Sequence, residues 1–175
     1  MYFDPHLNIE IIGVPLERIK KHYKPEERVI EILEMPRDSF EVMVAEMIQE
    51  ISSTSRISTN HFGVTGSILV KIHNPSFSDI DLTVYGYENA LKAKHALIEL
   101  LKSSKNFRRL NKDEIEKYAK EISRIHALNF TEASMLFKER WYAGILKTSS
   151  SHFIQLKLKA KYMKNTNQES TSLRG

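Results

Sequence analysis

The chain has 175 residues, 41% hydrophobic and 27% charged, with no cysteine and a formal net charge of +4. That length suits one domain with a core rather than two large ones, and the composition excludes a disulfide framework, a thiolate metal site and a cysteine nucleophile. No apolar run is long enough to cross a bilayer, and Asp4, His6 and Asn8 interrupt any secretory leader, so the expectation is a cytoplasmic protein with no membrane attachment.

Charge is uneven along the chain. Residues 1–100 carry 10 Lys/Arg against 15 Asp/Glu, whereas residues 101–175 carry 16 against 7. The basic second half is a candidate nucleic-acid surface, although a solvated basic face gives the same excess. The seven histidines are scattered, with no pair three or four residues apart, and read as surface or core residues. His73 stands out only by its place in the loop described below.

In chain order, the alternation over 8–14 predicts a short strand, and Pro15 begins a helical turn through Leu16 and Ile19. Pro25, Glu26 and Glu27 suit a helix N-terminus, with Val29, Ile30 and Leu33 as its apolar side up to Pro36. Asp38 or Ser39 can cap the next helix, whose Phe40, Val44, Met47, Ile48 and Ile51 keep helical spacing until the Ser/Thr stretch at 52–55. A strand over 61–65 runs into the Gly66-Ser67 turn, and 67–70 makes one helical turn. A loop over 71–78 then delivers a strand over 79–85.

In that strand Ile80, Leu82 and Val84 lie on one face and Asp79, Asp81 and Thr83 on the other. The two carboxylates are about 7 Å apart along the strand, a separation that suits a shared metal ion. An amphipathic helix follows over 88–101. Asn111 opens another that runs to about His126, burying Ile115, Tyr118, Ile122 and Ile125. A third begins at Thr131 and carries Ala133, Leu136 and Phe137 towards Trp141. A hairpin of 142–147 and 152–159 turns through 148–151, and residues 164–175 form a polar, disordered tail.

The chemistry concentrates at Gly63-Val-Thr-Gly66-Ser67, eleven intervening residues, then Asp79-Ile80-Asp81-Leu82. Gly66 lets backbone approach a phosphate, and the Ser67 hydroxyl and amide at a helix start can donate to it. Paired carboxylates hold Mg2+ together with phosphate oxygens and water. Lys71 and His73 are further candidate contacts from the loop.

This arrangement resembles the signature of the polymerase-beta-type nucleotidyltransferase superfamily. More narrowly, residues 10–160 resemble the archaeal predicted nucleotidyltransferases, through Pro15 to Pro25, Phe62 to Ser67, Ser78 to Gly86 and Arg140-Trp141 to Gly144. The resemblance implies an α+β fold, a small mixed β-sheet with helices packed on one face. It also implies that Asp79 and Asp81 are catalytic and bind Mg2+ (or Mn2+), with Gly66 and Ser67 binding the nucleotide. The implied reaction moves a nucleoside monophosphate from an NTP to a hydroxyl acceptor and releases pyrophosphate.

Active members usually add a third carboxylate from a later strand, where this chain offers Gln155 and Lys157. The alternatives are therefore a catalytically inactive nucleotide- or RNA-binding relative, or an antitoxin-like regulatory partner of another protein. Lys157, Lys159, Lys161, Lys164 and the Arg108-Arg109 pair are candidate contacts to a nucleic acid or a triphosphate; an edge strand guarded by lysines is an equally good reading of the first group. The expected organisation is an N-terminal strand and helix extension over 1–37, the nucleotidyltransferase-like domain over 38–163 and the tail over 164–175.

Overall fold

A computed structural model of the chain describes residues 1–5, 8–76, 78–139, 143–147 and 153–161. Strands β1 (Tyr2–Asp4) and β2 (Ile9–Ile11) pair antiparallel as a two-stranded ribbon. A 3-10 turn over Leu16–Arg18 leads to helix α1 (Pro25–Glu34) and then α2 (Ser39–Ser55). Strand β3 (Phe62–Thr65), a 3-10 turn over Gly66–Ile68 and strand β4 (Ile80–Tyr85) carry the motif. Helix α3 (Tyr87–Ser103), strand β5 (Phe107–Arg108), helices α4 (Lys112–Ile125) and α5 (Phe130–Glu139), and strands β6 (Ala143–Lys147) and β7 (Phe153–Lys161) complete the order.

The fold is thus mixed α and β around a five-stranded sheet in the order β3-β4-β7-β6-β5. β4 runs parallel to β7 and antiparallel to β3, so the sheet is mixed. β7 and β6 pair antiparallel, as the expected hairpin requires, and β6 pairs with the two-residue β5. The expected turn over 148–151, Trp141 and the tail over 164–175 lie outside the described residues.

Period-two alternation decides what the sheet buries. Phe62 and Val64 of β3 and Ile80, Leu82 and Val84 of β4 are fully buried, and they share one core with α2 and α3. Each large aliphatic side chain withdrawn from water contributes roughly 1.5–3 kcal/mol. α1 adds Val29 and Ile32 to this core, whereas no described side chain in residues 1–24 is buried. Its first turn packs on the far side of the β3 edge, where a Cβ on Gly63 would meet Pro25 Cβ at 2.7 Å.

Helix ends follow local chemistry. The Asp38 carboxylate accepts the Glu41 amide at the start of α2, and Arg56 closes that helix in the left-handed region at φ 56°. Asn111 and Glu114 form a reciprocal capping box on α4. Asn129 and Glu132 exchange the same pair of bonds at the start of α5.

Some apolar assignments need correction. In α1 the buried positions are Arg28, Val29 and Ile32, and Ile30 is 48% exposed. The helix turns the hydrophilic Arg28 inward, which displaces Ile30 from the buried side. Ile125 is 67% exposed because α4 packs on Ala133 and Phe137 of α5 through Ala119, nearly two turns before Ile125. Leu136 is exposed for the same reason, beside the buried Phe137 on that helix.

Candidate functional site

The β3–β4 register sets the site. Val64 pairs with Leu82 and Thr65 with Asp81, so the chain leaves β3 directly beside the carboxylate of Asp81. Gly66 then turns in the left-handed region, at φ 70°. A Cβ built on it would lie 3.0 Å from Asp81 Oδ2. Only glycine takes that conformation and that contact without strain. The two halves of the motif, far apart in the chain, therefore meet. Asp79 stands just before β4, and both carboxylate residues are partly exposed. Asp81 is on the face opposite the buried Ile80, Leu82 and Val84, as the alternation predicts.

Ser67 sits in the short turn behind Gly66. Its Oγ is 3.4 Å from Ser78 Oγ, too long for a strong hydrogen bond, so the hydroxyl is weakly committed. Ser78, in turn, fastens the loop: its Oγ accepts the Asn74 amide at 2.8 Å and its own amide donates to the Asn74 carbonyl at 2.9 Å. The loop between Gly66 and Asp79 is closed on itself before it meets β4.

That loop is also tied to the α1–α2 corner, by residues that sequence reasoning placed elsewhere. Lys71 and His73 were candidate phosphate contacts, but Lys71 Nζ pairs with Glu31 at 2.7 Å and His73 Nε2 with Asp38 at 2.9 Å. Both face acids on α1 and at the head of α2. His73 stacks on Phe40, with ring centroids 4.9 Å apart, and its Nδ1 is buried without a hydrogen-bond partner among the described residues. Arg28 completes the tie through Nε, which donates to the Ile68 carbonyl at 3.1 Å.

Arg28 and Glu41 are the site residues the sequence analysis missed. Both are buried; Glu41 Oε1 accepts from the Arg28 guanidinium and from Arg37, while Oε2 accepts the Arg37 amide at 3.0 Å. Burial pushes the Glu41 carboxyl up, but the Arg37 hydrogen bonds and the Arg28 charge outweigh it and bring it down to about 2. Burial likewise raises Asp38, and the Glu41 amide and His73 more than offset it. A polar residue at helical spacing carries no signal of such a pairing across two helices.

Asp38, Glu41 and His73 lie close enough together to suggest a metal centre, their ligand atoms within 4.8 Å of one another. The chemistry argues otherwise. Two guanidinium groups occupy Glu41, and Asp38 divides its oxygens between the Glu41 amide and His73. A cation there would face fixed positive charge, so the cluster is an ion-pair hub that supports the loop.

The other side of the sheet answers two further expectations. β7 is interior, bonded to β4 and β6, which removes the edge-strand explanation for its lysines. Its register pairs Asp81 with Lys157, so the position beside the carboxylate on the later strand is a lysine and not an acid. Arg108, expected to be available to nucleic acid, grips Glu114 with both terminal nitrogens at 2.7 Å. Arg109 remains exposed.

Among the described residues no helix is long and apolar enough to cross a membrane. Compared with known proteins, the chain matches no family model, no curated protein and no solved structure.

Proposed function

We propose that the chain is a metal-dependent nucleotidyltransferase of the polymerase-beta type, transferring a nucleoside monophosphate from an NTP to a hydroxyl acceptor with release of pyrophosphate. The observation that carries this reading is the apposition of Gly66 and Asp81 at the end of the β3–β4 pair. A bare glycine turn beside a strand carboxylate provides the two things a metal-bound triphosphate needs, close backbone donors and anionic ligands.

The residues present fit Mg2+ or Mn2+, which accept one or two carboxylates with phosphate oxygens and water. Asp79 and Asp81 would hold it. Such an ion supplies charge neutralisation at the leaving pyrophosphate. Gly66 leaves the turn open to phosphate oxygens, and Ser67 can donate its hydroxyl. The Arg28, Lys71 and His73 ties hold the loop in place between these groups, so the donors are positioned before a ligand arrives.

A second reading, a nucleotide- or RNA-binding relative without catalysis, is favoured by one observation. Lys157 is the register partner of Asp81 where an active site of this type would recruit another acid.

Calorimetric titration of the four NTPs with Mg2+ or Mn2+, against the Asp79→Asn, Asp81→Asn double variant, tests the shared premise. Metal-dependent binding that the double variant loses supports a nucleotide site, and release of pyrophosphate with an acceptor separates the enzyme from the binding relative. Absence of binding to the wild type defeats both readings.

A further inference from the structure

The N-terminal ribbon leaves most of its apolar side chains in water. β1 and β2 pair only with each other, and a two-stranded ribbon of that length is marginal by itself. Met1, Phe3, Ile9, Ile12, Val14 and Leu16 are each at least half exposed. Together they offer apolar area on the scale of the roughly 800 Å² that each partner gives to a specific interface. Residues 1–17 also carry Asp4, Glu10 and Glu17 and no Lys or Arg, so the segment is acidic as well as apolar. Glu10 and Glu17 are exposed.

The opposite charge stands at one end of the five-stranded sheet. β5 is its last strand, and no strand lies beyond it among the described residues. Residues 102–112 around it carry Lys102, Lys105, Arg108, Arg109 and Lys112 and no Asp or Glu. Glu114 engages Arg108, and the other four are exposed. Leu110, just past β5, packs in one cluster with Phe137 of α5, which brings the exposed Met135 and Leu136 of that helix towards the same end of the sheet. Cations on a short edge strand keep a like edge from pairing with it, whereas an acidic ribbon is attracted there. The chain's own ribbon is not paired with β5; it leads into α1, whose first turn lies against β3 at the opposite end of the sheet.

We infer that the N-terminal ribbon of one copy docks on the β5 end of a second copy, its acids facing the cations at 102–112 and its apolar side chains facing Met135 and Leu136, and that the exchange is reciprocal. Two identical contacts related by a two-fold axis close the assembly as a dimer, so it does not grow into a chain. Burial of the ribbon's apolar side chains drives association, and the charges decide which edge each ribbon meets. This surface is independent of the nucleotide site, and its test needs no nucleotide.

The test is sedimentation velocity of the full chain at micromolar concentrations, for the wild type and for two charge reversals. The wild type should sediment as a dimer. Glu10→Lys with Glu17→Lys, which reverses the ribbon, and Lys105→Glu with Arg109→Glu, which reverses the edge, should each weaken it at least roughly tenfold, because like charges then face each other. An equimolar mixture of the two reversed chains should dimerise again, since each ribbon then meets an edge of opposite sign. A monomeric wild type, a dimer indifferent to both reversals, or a mixture that stays monomeric overturns the inference. So does a monomeric wild type that binds single-stranded RNA and loses it in the edge reversal, which would give the basic edge to a nucleic acid. Thermal melts show whether a loss is of fold, and Ile12→Ser with Leu16→Ser, at exposed ribbon positions, decides the matter by loss of the dimer should a reversed chain not fold.

Discussion

Gly66 lies against Asp81 closely enough that a methyl group on its Cα would stand 3.0 Å from Oδ2, and it does so at φ 70°, where an L residue is strained. Gly86 also has a positive φ, 91°, but a Cβ there would meet nothing nearer than Asn89 Nδ2 at 3.4 Å. The two glycines separate backbone strain from damage to the site. Gly66→Ala and Gly86→Ala should each cost about 1 kcal/mol or somewhat more in urea unfolding. Only Gly66→Ala should also abolish metal-dependent NTP binding, because its methyl displaces the carboxylate. Equal binding by the two variants would detach Gly66 from the site.

Gly144 tests whether α3 covers the sheet at β6. It lies on β6 and pairs with Leu156 of β7, and a Cβ on it would collide with Leu101 Cδ2 of α3 and stand 3.0 Å from the Arg108 carbonyl on β5. Gly144→Ala should destabilise by about 2–3 kcal/mol, an overpacking cost. Adding Leu101→Ala should give a favourable coupling of about 1 kcal/mol in a double-mutant cycle, since it removes one of the two collisions. Strict additivity would mean that α3 does not cover β6.

The legible parts of this molecule are those written within a few residues. Asp38 and Asn111 announce helix starts because their side chains cap their own neighbours, and the β4 alternation announces which face carries Asp81. β1 and β5, with three and two residues, are too short to show a period. The parallel pairing of β7 with β4 brings Lys157 to Asp81 across much of the chain, and no local pattern encodes that crossover. Arg28 was invisible for another reason: an arginine on a helix reads as its wet side, until a buried glutamate on the next helix makes the inward position tolerable.

That buried pair makes acid stability specific. Glu41 is held at about 2, down from 4.5, so the stability it contributes is fully present above pH 4.5 and is lost as pH falls from there towards 2. Glu41→Gln should remove this part of the acid transition. At pH 7 it should also cost up to about 3–5 kcal/mol, because buried Arg28 is left with the half-exposed Glu31 as its ionic partner. Glu31, exposed beside Arg28 and Lys71, provides the contrast: Glu31→Gln should change stability by less than about 1 kcal/mol. Denaturant unfolding from pH 2 to 7 distinguishes the two, and an unchanged acid limb in Glu41→Gln would show that the acid transition comes from other carboxylates.

His73 bears on the site through the loop it anchors. Its ring lies on Phe40 and its Nε2 on Asp38, which caps α2 with its other oxygen, so one carboxylate ties a helix start to the loop between the glycine turn and Asp79. His73→Ala should cost about 1–2 kcal/mol for the lost stacking and hydrogen bond. Asp38→Asn is the milder change, since an amide oxygen can still accept the Glu41 amide while the negative charge facing His73 disappears. Hydrogen exchange gives the discriminating readout. If the anchor positions the site, amides of residues 69–76 should exchange faster in His73→Ala while those of α3 are unchanged, and NTP affinity should fall without loss of the fold. Uniformly faster exchange across α2, α3 and the loop would instead make His73 a plain contributor to the core, and the loop would then depend on Arg28 and Ser78 for its place beside Asp81.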